Sequence, residues 1–128
     1  MALIPTPTKA ELAILRVLWD RGASTVREVH TALASARDVG YTTTLKTLQV
    51  MTAKGLTTRE ARGPQHLYRA KHAEQQMQRR LIRDLVDRAF GASTTQFVVQ
   101  ALASKRATPD ELKEVRRLLT EYEEKNHE

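Results

Sequence analysis

Between Gly40 and Gly55 the chain reads GYTTTLKTLQVMTAKG, a stretch that mixes hydroxyls, two amines and an apolar repeat in an order suited to contact with a polyanion. Leu45, Leu48 and Met51 recur at helical spacing and make one stripe, which a helix buries against its neighbours. Thr43, Lys46, Thr47 and Val50 form a second i, i+3, i+4, i+7 set on another side, with no apolar reason to be covered. Threonine is a poor helix former because its branched Cβ loses rotamer freedom against the preceding turn. Three in succession at a helix start, Thr42, Thr43 and Thr44, therefore need a compensating use. The spacing predicts that Thr42 or Thr43 caps the helix, where free N–H groups and the positive dipole end favour a phosphate. Threonine hydroxyls bond phosphates or base edges, their methyls meet the thymine methyl, and Lys46 reaches guanine O6/N7 or a phosphate.

The charge distribution supports this chemistry. Net charge is +6, and residues 1–72 carry all of it, with 11 Lys/Arg against 5 Asp/Glu; residues 73–128 hold ten of each. A one-sided basic excess points to nucleic acid ahead of a membrane surface. After Gly55 the apolar period changes: Leu56–Ala61 and Gln65–Ala70 read as strands around the turn signal Arg62-Gly63-Pro64. This hairpin brings Arg59, Arg62, His66, Arg69 and Lys71, cations that a wing lays along a phosphate backbone. The expected contacts to double-stranded DNA are Thr42, Thr43, Thr44, Lys46, Thr47, Arg59, Arg62 and His66.

The elements around these residues are punctuated by three capping boxes, Thr8-x-x-Glu11, Thr25-x-x-Glu28 and Thr108-x-x-Glu111, the last with Pro109 at the first helical position. They predict helices over about Lys9–Arg21, Val26–Ala36 and Pro109–Lys125. His30, on the apolar face of the second, reads as a half-buried packing residue. Three short helices and a hairpin make a winged helix, with the second and third helices as its helix-turn-helix. From about Ala73 the pattern is helical again, with breaks at Gly91 and before Thr108 and a brief apolar helix over about Thr94–Leu102. The predicted fold class is mainly α, a winged-helix domain over 1–72 and a three-helix dimerisation domain over 73–128. The second half is too short for a self-sufficient core yet carries apolar faces, so burial against another chain is expected. The expected homodimer seam uses Met77, Leu81, Leu85, Phe97, Leu112, Val115, Leu119 and Tyr122, and a dimer on a two-fold operator multiplies discrimination.

Other classes find little support. There is no cysteine, so no disulfide framework or thiolate metal site exists. The four histidines, at 30, 66, 72 and 127, lack ligand spacing, and no nucleophile elbow, phosphate-binding glycine loop or HExxH occurs. No cofactor, no metal and no catalysis are expected. No run approaches the roughly 18 to 20 apolar residues that span a bilayer, and MALIPTPTKAEL lacks a leader pattern, so the expectation is a cytoplasmic protein without membrane insertion.

Taken as blocks, LAILRVLW in the first helix, YTTTLKTLQVMTAKGL, the hairpin ending HLYRA and the three-helix second half resemble the penicillinase repressor family, the BlaI/MecI/CopY transcriptional regulators. The resemblance covers nearly the whole chain. It implies a homodimeric repressor that sits on a palindromic operator and blocks transcription, with Thr42, Thr43 and Lys46 matching the family's DNA-contacting turn. In the β-lactam-responsive members a membrane sensor-protease of the BlaR/MecR type signals, and the repressor is cut between an Asn and a Phe in the short apolar helix. Here Gln100 and Ala101, in FVVQALAS, occupy that bond. The copper-responsive members carry a Cys-x-Cys pair, which this chain lacks, so copper sensing by that route is excluded. The alternative reading is an effector-responsive winged-helix regulator with a small-molecule site between the domains.

Overall fold

The structure, a computed structural model, describes residues 4–34, 39–104 and 107–126. Its elements run α1 (Lys9–Arg21), α2 (Val26–Ala34), α3 (Tyr41–Lys54), β1 (Thr57–Arg62), β2 (Gln65–Ala70), α4 (Glu74–Ala89), α5 (Thr94–Ser104) and α6 (Pro109–Lys125). All three predicted capping boxes form. The Thr8 hydroxyl accepts from the Glu11 N–H at 3.1 Å while the Glu11 carboxylate accepts from the Thr8 N–H at 2.8 Å. Thr25 with Glu28, and Thr108 with Glu111, do the same. α3 ends where a left-handed residue is needed: Gly55 has φ +88°, a conformation that any Cβ strains. Two boundaries differ slightly from the spacing. Leu56 joins the core rather than the first strand, its N–H donating to Met51 O and its O accepting from Lys71 N–H, and α5 runs on to Ser104. The predicted last turn of α2, at 35–36, lies outside the described residues.

The chain divides into two compact units, Met1–Asp84 and Leu85–Glu128. In the first, α1 contributes Ile14, Leu15 and Leu18, α2 Val26, Val29 and Leu33, and α3 Leu48 and Met51, joined by Leu56 and Tyr68. Each such side chain stabilises the fold by about 1.5–3 kcal/mol on burial. The two-stranded antiparallel hairpin is fastened to this core through Tyr68, whose N–H and O bond the O and N–H of Ser24 at 2.8 and 3.0 Å. Behind it, the Trp19 indole N–H donates to His72 O at 2.9 Å and ties α1 to the chain leaving the wing.

Here the structure corrects the expected dimer seam. Met77 is only 1% exposed and belongs to the core of the first unit, and Leu81 is half-buried against that core. Their spacing signalled a covered face correctly, but the cover is the core of their own chain's first unit. The compact division accordingly falls inside α4, beyond the expected domain boundary at 72/73.

One buried ion pair joins α1 to α3. The Lys54 ammonium donates to both Glu11 oxygens, at 2.8 and 3.0 Å, and Glu11 is 4% exposed. Burial pushes the Glu11 carboxyl up, but Lys54 and the Thr8 N–H outweigh it and hold the group below its ordinary value. A lowered carboxyl stabilises the fold at pH above the unfolded value near 4.5, and that contribution is lost as pH falls through the folded one. Glu11→Gln should therefore lower unfolding free energy by about 1 kcal/mol at pH 7, the partly open Lys54 being screened by water. Urea titration should show the gap from wild type closing as pH falls below the ordinary carboxylate range and Glu11 is protonated; a gap that persists there would assign the loss to packing rather than charge.

Candidate nucleic-acid interface

α3 is oriented by what it buries. Thr44, Leu48 and Met51 are at most 1% exposed and lie on the face opposite Lys46. At 100° per residue, Thr42, Thr43, Gln49, Val50 and Ala53 fall within about 60° of Lys46, and all six are exposed. The outward stripe is thus hydroxyls at the first turn, a cation in the middle and Gln49 with Val50 beyond.

Within the threonine triplet, two expectations are corrected. Thr44 is buried, its hydroxyl donating to Gly40 O at 3.3 Å, so it cannot contact DNA. Nor do Thr42 or Thr43 cap the helix. The N-cap is Gly40, at φ −73° and ψ 157°, and it has no side chain to offer. Thr42 and Thr43 instead stand in the first turn, leaving its backbone N–H groups without a side-chain cap among the described residues. Thr47 is half-buried and donates its hydroxyl proton to Thr43 O at 2.8 Å, so only its acceptor lone pairs and methyl remain available.

The wing register sorts the cations by face. Arg59 pairs with Tyr68, Ala61 with His66 and Arg62 with Gln65. Alternation along a strand puts Arg59 and His66 on the Tyr68 side, and Arg62 and Arg69 on the other. Arg69 is engaged with Glu60 at 3.2 Å. A cleft of about 230 Å³ lies between the start of α2, α3 and the wing, bordered by Arg27, Tyr41, Gln49, Arg59 and His66.

Sequence reasoning missed three members of this surface. Arg27 lies with its guanidinium carbon 5.0 Å from the Tyr41 ring centroid, which adds a positive charge beside the α3 N-terminus. No local spacing links residues on two different helices, so nothing in the sequence announced this pair. Gln49 was legible in principle, as the residue three after Lys46. His30 meets the expectation of a half-buried packing residue, its ring edge-on to Tyr41 at 5.8 Å.

In the second unit Leu85, Val115, Leu119 and Tyr122 are exposed, Leu112 is half-buried, and Phe97 packs edge-on against Phe90 at 5.8 Å. Gln100 and Ala101 are exposed and helical on α5. Among the described residues no cluster of His, Asp or Glu is arranged to hold a metal, and no helix is long and apolar enough to cross a membrane.

Comparison with known proteins agrees with this architecture. The profile described as penicillinase repressor matches residues 7–121. The transcriptional regulator BlaI of Mycobacterium tuberculosis, in strains CDC 1551 / Oshkosh and ATCC 25618 / H37Rv, is 32% identical over 114 residues, covering 88% of this chain and 82% of its own. The solved DNA-binding domain of the repressor BlaI is similar in fold, with a TM-score of 0.52 at 24% identity over 59% of this chain and 93% of its own. So is the monomeric form of Bacillus licheniformis BlaI, solved in complex with the blaP half-operator, with a TM-score of 0.51 at the same identity and coverage. The profile runs through both compact units rather than the winged helix alone, and on that match the chain belongs to the penicillinase repressor family.

Proposed function

We propose that this chain, a DNA-binding transcriptional repressor of its family and not an enzyme, acts as a homodimer on a two-fold symmetric operator. The observation that carries the reading is the outward stripe of α3. Thr42, Thr43 and Lys46 project from a helix whose opposite face is fixed in the core, at a first turn whose N–H groups have no side-chain cap among the described residues. The stripe enters the major groove; Arg59 and Arg62 on the wing, with Arg27, neutralise phosphates on either side, and His66 offers the backbone a hydrogen bond. Thr47 offers its lone pairs and methyl to the same groove.

The exposed apolar residues of the second unit, Leu85, Val115, Leu119 and Tyr122, together with Phe97 and Leu112, supply the surface that a second copy covers. A cytoplasmic site of action follows from the need to reach DNA. A membrane sensor-protease is the inducing partner that the family resemblance implies, and the position matching its target bond holds Gln100–Ala101 in place of Asn–Phe, a departure that counts against cleavage there. Because that bond is helical, cleavage requires α5 to open first.

The effector-responsive alternative is not favoured. An aromatic-lined pocket has few rings to draw on, since Trp19 is bonded to His72, Tyr68 is buried, and Phe90 and Phe97 pack on each other.

Three measurements check the reading. Titration of a duplex selected by the protein from a random library should give log K falling linearly with log salt, by about 0.9 per neutralised phosphate; a flat dependence would favour a protein-interaction module. Lys46→Ala should cost about 1–3 kcal/mol on the selected sequence and little on an unrelated one if the amine contacts a base. Equal weakening on both would make it a phosphate contact. In analytical ultracentrifugation Leu119→Asp should run as a monomer, because an unpaired carboxylate would be buried in the seam; a persisting dimer would place the seam elsewhere.

A further inference from the structure

We infer that Val50 reads the C5-methyl group of one thymine in each half of the operator and is a specificity-determining residue of α3. The inference rests on the DNA-binding reading above and adds the base feature that the far end of the stripe recognises.

Val50 is 51% exposed on a helix whose Leu48 and Met51 are fully buried. It belongs neither to the core nor to the wing cleft. That cleft takes Tyr41, Leu45 and Gln49 from one flank of α3, whereas Val50 lies about 40° from Lys46 on the other flank, the side of Thr43. Along the helix axis Thr43, Lys46 and Val50 follow one another at about 4.5 and 6 Å, and base pairs succeed one another every ~3.4 Å. With Thr43 and Lys46 at base edges, Val50 therefore meets the same groove one or two base pairs further on. It has neither donor nor acceptor, and the only apolar feature that the major groove presents is the thymine methyl. The branched Cβ also suits the task. In a helix valine holds one χ1 rotamer in about nine cases of ten, so its methyls are already placed and little freedom is lost on contact.

Isolated exposed apolar side chains are ordinary on protein surfaces, so the test isolates one methyl group. Full-length protein is titrated by fluorescence anisotropy with the duplex it selects from a random library. Each thymine is then replaced by deoxyuridine, one symmetric pair at a time. At one thymine per half-site, uracil should weaken wild-type binding about fourfold per half-site, the effect of removing one buried methyl. Val50→Ala should bind the unmodified duplex with a similar loss and be indifferent to uracil at that position, while Lys46→Ala keeps the uracil penalty. Tight, sequence-selective binding that ignores uracil at every position, or a Val50→Ala variant that keeps the full penalty, overturns this inference and leaves the DNA-binding reading standing. Failure to bind any duplex overturns both.

Discussion

Burial of one face of α3 is the constraint on which the surface chemistry depends. Leu48 and Met51 are sealed into the core made with α1 and α2, and Thr44 fills the same face one turn earlier. Turning the helix by one residue, about 100°, would withdraw these side chains and press a lysine or glutamine into an apolar site, at a cost of several kcal/mol. The direction of Thr42, Thr43, Lys46, Gln49 and Val50 is therefore set before any ligand arrives. The wing is held to the same frame by the paired backbone bonds between Ser24 and Tyr68. A surface organised in the free protein spends little binding energy on ordering itself.

The distribution of charge is more selective than the net value. Lys54 is held by buried Glu11, Arg69 by Glu60, and Arg21 approaches Glu28 at 3.6 Å. Lys46, Arg59, Arg62 and Arg27 carry no ion pair among the described residues: Arg27 and Arg59 border the cleft beside α3, Lys46 stands on its exposed stripe, and Arg62 lies on the other side of the wing. The basic excess of the first half thus splits into cations spent on the fold and cations left for a polyanion. The first turn of α3, without a side-chain cap among the described residues, adds its N–H groups to the second set.

Much of this was legible because local rules and tertiary demand agreed. The three capping boxes, the left-handed stop at Gly55 and the change to strand period after it all pointed to the elements that formed. What escaped shares one physical cause: spacing reveals that a face is covered, not by what. Met77, Leu81 and Leu85 continue a single apolar repeat on α4, yet the first two serve the core of the first unit while Leu85 stays exposed. Thr44 misled for a related reason. Its hydroxyl satisfies Gly40 O within the helix, so a residue that reads as polar packs as a small apolar one. The Arg27–Tyr41 contact joins two helices across the motif and leaves no periodic trace.

The second unit keeps Leu85, Val115, Leu119 and Tyr122 open to solvent, apolar residues that a second copy of the chain covers in the proposed dimer. The winged helix is the part whose geometry answers most directly to experiment. Backbone amide NMR of the full-length protein, titrated with its selected duplex, follows every element at once. The account predicts that the largest shifts fall on Tyr41–Val50 and on the Arg59–His66 ribbon, with the amides of α6 nearly unmoved. Shifts concentrated in α5 and α6, with α3 silent, would contradict it.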